Sequence, residues 1–210
     1  MTQPTAWDGP LRPAHGDLRL RPWEEADLAV VLRGISDPDF RRWNAVTIPP
    51  PTEEGARDYL LRSMAGWREG RVASFAVVVT EAGREVVVGD VRLANFGWIN
   101  RSARISYWVL PEYRGRGRAS GAVEAVTRWG FGPALGLHRI ELSHVLPNQA
   151  SCRVAGRCGY LAEGTMRGEM PGSDGRMWDA HLHARLATDP APGDQGQSSP
   201  VVQAPSWERR

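Results

Sequence analysis

Hydrophobic and polar residues change their spacing repeatedly along the chain, and each change marks an element. From Leu18 to Leu20 apolar and basic positions alternate, leading into Arg21-Pro22-Trp23. Ala26, Leu28, Ala29, Val31 and Leu32 then recur as a helical stripe that stops before Gly34 and Pro38. A short strand followed by a helix is the expectation. The stretch Asn44 to Pro51 ends in three prolines, and Thr52-Glu53-Glu54 then opens a second helix with Ala56, Tyr59, Leu60 and Met64 on one face, stopping near Gly70. Ser74 to Thr80, Glu85 to Asn95 and Arg104 to Leu110 are β-rich runs separated by turn residues, which predicts an antiparallel meander.

Past Leu110 the pattern shifts again. Pro111-Glu112-Tyr113 turns, a glycine and arginine cluster follows, and Ala122, Val123, Val126 and Trp129 return at helical spacing. His138 to Leu146 reads as a strand, and Pro147-Asn148 opens a helix that ends at Gly159. Tyr160 to Arg167 with Met177 to Leu186 read as a closing hairpin around Gly172-Ser173-Asp174-Gly175. Meander and helix-crossover units in one chain predict a mixed α/β sheet of about seven strands. The expected divisions are a flexible segment over 1–16, one domain over 17–187, and a disordered tail over 188–210, where prolines, Gly, Gln and Ser outnumber sizeable apolar residues.

Composition narrows the chemistry. The 210 residues are 41% hydrophobic and 24% charged, the balance of a chain that buries a core. A net charge of +2 is too mild to demand a nucleic acid or a membrane. All 26 basic residues are arginine, so Schiff-base chemistry and Walker-type or kinase lysines are excluded. Cys152 and Cys158 lie six apart and would point to different faces of a helix, which fits a reducing cytoplasm better than secretion. The prolines at 4, 10 and 13 and the lack of an apolar run argue against a signal peptide in the first residues, and no stretch reaches membrane-spanning length.

The most informative run is Arg114-Gly115-Arg116-Gly117-Arg118-Ala119. Glycines let backbone approach a ligand, the next residues open a helix, and free N–H groups, the helix dipole and three guanidinium groups are expected to converge on a pyrophosphate. A solvated Arg-Gly turn is the plain alternative. The dinucleotide fingerprint does not fit, because Ser120 stands where its third glycine belongs. An RNA-binding segment would be longer and interleaved with aromatics, and would show as a salt-dependent affinity.

The chain resembles the GNAT superfamily of acyl-CoA-dependent N-acyltransferases, in particular its RimJ/RimL-like branch. Four features carry the resemblance: Leu18-Arg19-Leu20-Arg21-Pro22, Tyr107-Trp108-Val109, the loop Arg114 to Ala119, and Asn148-Gln149-Ala150-Ser151 leading to Gly159-Tyr160. The resemblance implies a GNAT-like, mostly antiparallel splayed sheet flanked by helices. In such a fold acetyl-CoA lies between two strands, with its pyrophosphate on the loop amides and its pantetheine along Trp108, Val109 and Leu110. Asn148 matches the residue that contacts the pantetheine arm, although Asn is also a favoured helix N-cap. Ser151 matches the residue that protonates or hydrogen-bonds the sulfur. The implied reaction is acetyl transfer to a primary amine, either a small molecule or a protein N-terminus, without a metal; homodimers are frequent in this branch.

Two departures stand out. Ala155 occupies the place where many relatives carry a tyrosine acid, and Arg104 the place where many carry a glutamate base. Glu169 falls one position out of step with a carboxylate used in the branch and is the preferred base, ahead of Glu141 and His144. These departures also motivate a rival reading, a catalytically silent acyl-CoA-binding module. His181 and His183 share a strand face, but no third or fourth metal ligand stands near them in sequence. Trp43 falls in the connection between the first two helices, which borders the acceptor groove in resembling proteins.

Overall fold

The computed structural model describes residues 14–44, 48–172 and 175–192. A two-residue strand β1 (Ala14–His15) leads into β2 (Leu18–Pro22), then helices α1 (Leu28–Ser36), α2 (Pro38–Asn44) and α3 (Glu53–Arg68). The meander β3 (Ala73–Glu81), β4 (Arg84–Gly97) and β5 (Ser102–Val109) follows, then α4 (Arg118–Phe131), β6 (Arg139–Val145), α5 (Gln149–Arg157), β7 (Leu161–Pro171) and β8 (Met177–Leu186). The strands form one sheet in the order β1-β2-β3-β4-β5-β6-β8-β7, with β5 and β6 parallel and every other neighbouring pair antiparallel. This is the mixed α/β sheet expected, with seven full strands and the short β1 added at its edge.

Both faces of the sheet are covered, which is why β3 reads as an unbroken apolar run. Phe75, Val77 and Val79 pack beneath α4 and α5 with Val123, Val126, Ile140 and Leu142. Ala76 and Val78 face the other way, against Val31 and Ile35 of α1 and Ala56, Tyr59 and Leu60 of α3. Thr52 caps α3, its hydroxyl accepting from the Gly55 N–H at 3.1 Å, a contact that stabilises a helix by about 1 kcal/mol. Gly55 is dictated by close approach: a Cβ there would stand 2.1 Å from the Pro50 carbonyl oxygen, because the proline run lies across the first turn.

Between the two cores sits a buried polar group, Asp90, 1% exposed. It accepts from Trp23 Nε1 and Ser74 Oγ, both at 2.8 Å, and from Arg92 Nε at 2.9 Å. Arg92 also donates to the Tyr59 hydroxyl, which accepts a second bond from Trp108 Nε1. Each member of the network therefore has a partner, the condition under which such groups tolerate burial.

Helix α2 is an addition to the sequence expectation, which left Trp43 in a connection. Asp37 closes α1 and starts α2, its carboxylate accepting from the Phe40 N–H at 3.1 Å, while Pro38 fills the first helical position where its missing N–H is harmless. Ala14 and His15, expected in a flexible segment, pair with β2. The remainder of that segment and residues 193–210 of the expected tail lie outside the described residues. Among the described residues, no helix is long and apolar enough to cross a membrane.

Candidate active site

A cleft opens where two parallel strands part. β5 and β6 pair at three positions only, Ser102 with Arg139, Ala103 with Ile140 and Arg104 with Glu141. Beyond them the strands diverge around a cavity of 570 Å³ walled by Ile105 to Val109, Leu142 to Val145, the turn from Tyr113 to Ser120 and the start of α5. Leu110 N–H donates to the Val88 carbonyl at 2.8 Å, on the β4 side. Alternation along the ladder then turns the N–H and C=O of Val109 toward the open edge. Arg114 Nε already donates to that Val109 carbonyl at 2.9 Å, which leaves the Val109 N–H facing the cleft.

The glycine loop ends at the same opening. Gly115 and Gly117 have φ of 74° and 75°, a left-handed backbone that glycine adopts without strain. Gly117 is the N-cap of α4, whose first bond inside the helix runs from Gly121 N–H to the Gly117 carbonyl. The N–H groups of Arg118, Ala119 and Ser120 thus have no acceptor within the helix, at the positive end of its dipole and on the cleft wall.

The arginines of the loop do not converge as expected. Arg114 turns back to Asp37 and Asp39, tying the loop to the α1–α2 corner. Arg118 pairs with Asp17, and the Arg116 guanidinium lies 5.8 Å from the centre of the Tyr113 ring. Carboxylates brought close from distant parts of the chain claim two of the three charges. The anion-attracting part of this loop is therefore its backbone.

At the other wall, Asn148 caps α5, its side-chain oxygen accepting from the Ser151 N–H at 3.2 Å. Ser151 Oγ lies 2.8 Å from the Tyr107 hydroxyl. Burial pushes the Tyr107 phenol well above its usual range, so it holds its proton at neutral pH. A phenol and a serine hydroxyl thus meet on the cleft wall, a pairing not foreseen from the sequence, since Tyr107 and Ser151 are 44 residues apart.

The remaining expected residues divide. Trp108 contributes backbone to the cleft, while its ring is 5% exposed and stacks with Trp23 on the α1 face, filling the space a Cβ on Gly34 would occupy. Leu110 is 1% exposed and stands outside the cleft lining, its N–H taken by Val88. Glu169 pairs with Arg104 at 3.5 Å, and Arg104 also reaches Glu141 at 3.4 Å; the neighbour Met170, rather than Glu169, lines the cleft. Trp43 lines the cleft from α2, with the Arg42 guanidinium 4.6 Å over its ring. Cys158 is buried under α4, where burial pushes its thiol up to about 12. His181 and His183 acquire neighbours invisible in local sequence, His144 from β6 and Cys152 from α5. Burial lowers the pKa of His144, and burial reinforced by the other two rings holds His183 at about 4.

Comparison with known proteins places the chain in a family. The chain is 33% identical to YdaF of Bacillus subtilis over 79 residues, which is 38% of this chain and 43% of YdaF. It is 29% identical over 86 residues to the spermidine N(1)-acetyltransferase of Vibrio cholerae, 41% of this chain and 49% of that enzyme. The chain thus spans less than half the length of these curated relatives. Among solved structures, Mycobacterium smegmatis RimJ in complex with CoA-disulfide superposes with a TM-score of 0.74 at 26% identity, covering 86% of this chain and 88% of RimJ. Residues 17–161 match the acetyltransferase (GNAT) domain, a stretch that takes in the splayed strands, the glycine loop and α5, and the chain belongs to the GNAT family of acetyltransferases.

Proposed function

We propose that this protein transfers the acetyl group of acetyl-CoA to a primary amine, the α-amine of a protein N-terminus or a small-molecule amine, by direct attack on the thioester. One observation carries the reading: the open edge of β5 beyond Arg104 runs directly to the N-terminus of α4. A pantetheine arm can pair along that edge while its pyrophosphate takes the N–H groups of Gly115 to Ser120. RimJ, bound to a CoA disulfide, and the spermidine N(1)-acetyltransferase are the similarities that support the donor and the acceptor class.

The chemistry requires no group beyond this chain and its two substrates. The amine lone pair forms the new C–N bond to the acetyl carbon, and charge develops on the carbonyl oxygen within reach of the Val109 N–H. As the C–S bond breaks, Ser151 Oγ–H gives its proton to the sulfur and is re-protonated by the Tyr107 hydroxyl, 2.8 Å away, and the Tyr107 oxygen regains its proton from solvent water in the open cleft before the next cycle. The surplus proton on nitrogen leaves through water toward Glu169, next to the wall residue Met170. Arg104 cannot accept that proton, because a guanidinium stays charged.

The test begins with thermal unfolding. Acetyl-CoA should raise the melting temperature and NADH should not, because only a ligand of the folded state stabilises it. Turnover is then measured against amines, N-terminal peptides and polyamines. Equal shifts from both nucleotides, or none from acetyl-CoA, overturn the donor; a normal acetyl-CoA shift with no amine turned over leaves a silent acyl-CoA-binding module.

A further inference from the structure

Register places three imidazoles on one face of the sheet. His144 of β6 stands directly across from His181 of β8, and His183 lies two residues farther along, opposite Leu142. The period of two puts all three on the face that carries Leu142, which packs beneath α4 and α5. The first turn of α5 then sets Cys152 over them. One ligand atom from each of His144, Cys152, His181 and His183 falls within 4.8 Å of the others.

The protons in this cluster do not suffice for its lone pairs. His144 Nδ1 lies 2.9 Å from the Val145 carbonyl and so carries the ring hydrogen, which leaves Nε2 as a lone pair aimed at His183 Nε2 at 3.2 Å. His144 and His183 are each 4% exposed. The Nδ1 atom of His181 is buried with no hydrogen-bond partner. A buried nitrogen left unsatisfied is destabilising, and apolar side chains here would avoid that.

We propose that His144, Cys152, His181 and His183 form a closed, four-coordinate site for a zinc ion that fastens the start of α5 to β6 and β8. Imidazole nitrogen with one thiolate is a zinc donor set, and four protein ligands leave no open position, which makes the site structural. Bond lengths of about 2.1 Å to nitrogen and 2.3 Å to sulfur put tetrahedral ligand atoms ~3.5 Å apart. The 3.2 Å between the two Nε2 atoms fits that edge, and rotation of His181 and Cys152, the less buried pair, draws in the rest. Zinc binding displaces the thiol proton of Cys152, so each ion bound releases one proton to solvent. Ser151 precedes Cys152 in the same turn, so the ion holds the serine against Tyr107; that consequence rests on the acetyltransferase reading, whereas the site itself does not.

Metal analysis of the full chain, purified through a tag without histidines, should return one zinc per chain. After stripping with a chelator, cobalt(II) should restore one equivalent with the intense visible bands of a tetrahedral site and a thiolate-to-cobalt band, and zinc should displace it. Cys152→Ser should lose the thiolate band while keeping the fold. His181→Ala should weaken cobalt binding beyond the ~10–100-fold typical of an outer-shell change. His138→Ala, just before β6 and outside the cluster, should leave binding unchanged. Thermal unfolding of each stripped variant establishes that it is folded, and zinc should raise the melting temperature of wild type alone among the ligand set. No cobalt spectrum and no zinc-induced shift in wild type overturns the site, as does undiminished binding in both Cys152→Ser and His181→Ala. If acetyl-CoA produces no thermal shift while cobalt binds as described, the acetyltransferase reading fails and the metal site stands.

Discussion

Replacing Tyr107 by Phe removes one oxygen from the cleft wall and tests whether the phenol and Ser151 act as one proton path. The 2.8 Å contact is a single hydrogen bond with a half-buried serine, so the stability cost should be only about 1 kcal/mol. The kinetic cost should be far larger, because a positioned acid contributes roughly 10²–10⁴ in rate, about 3–5 kcal/mol of barrier. If sulfur receives its proton from Ser151 and Ser151 recovers it from Tyr107, then Tyr107→Phe, Ser151→Ala and the double variant should all fall to a similar kcat. Independent roles would multiply the losses to about 10⁴ or more. The assay is release of the CoA thiol with a saturating amine, and the acetyl-CoA thermal shift should persist in all three variants. Burial raises the Tyr107 pKa, so the group is a donor below and through its ordinary range, and no loss from phenolate formation should appear up to pH about 10. A Tyr107→Phe enzyme with full kcat, or losses that multiply, would refute the relay.

Three further outcomes follow from the same geometry. Gly117→Val should abolish the acetyl-CoA thermal shift in a folded protein: its Cβ meets nothing within 4 Å, so the damage is about 1–2 kcal/mol of left-handed backbone strain that swings the α4 amides off line. An undiminished shift would put the phosphates elsewhere. Asp90→Ala should lower unfolding free energy in urea by about 3 kcal/mol, since it strips three donors and leaves Arg92 without its counter-charge; a loss under about 1 kcal/mol would show the network to be dispensable. Glu169→Gln should lower turnover at neutral pH and recover as pH rises toward the free amine, whereas full activity at every pH, with Glu141→Gln losing it, would move the base to β6.

Local physics explains which parts of the molecule were legible in its sequence. The strand run from Phe75 to Val79, the Thr52 cap and the Gly115/Gly117 loop each depend on neighbours a few residues away, and each stands where the pattern puts it. Helix α2 escapes the pattern because Gly34 and Pro38 look like a stop, although Asp37 is an N-cap and Pro38 the first helical position. The arginine loop misled for a different reason: its charges answer to Asp17, Asp37 and Asp39, which only the folded chain brings near.

The same distinction decides how the site's apparent deficits are understood. Read along α5, Ala155 is a missing acid, because the reading compares one position on one helix. In three dimensions a proton donor need only reach the sulfur, and β5 delivers the Tyr107 hydroxyl to Ser151 from the facing wall. The histidine pair obeys the same logic. His181 and His183 lack ligands along β8, yet antiparallel register supplies His144 and the first turn of α5 supplies Cys152. Tyr107 meets Ser151 on one side of that turn and the histidine cluster meets Cys152 on the other. The two features are therefore coupled through a single peptide bond, and a change that loosens the cluster should be felt first in the proton path.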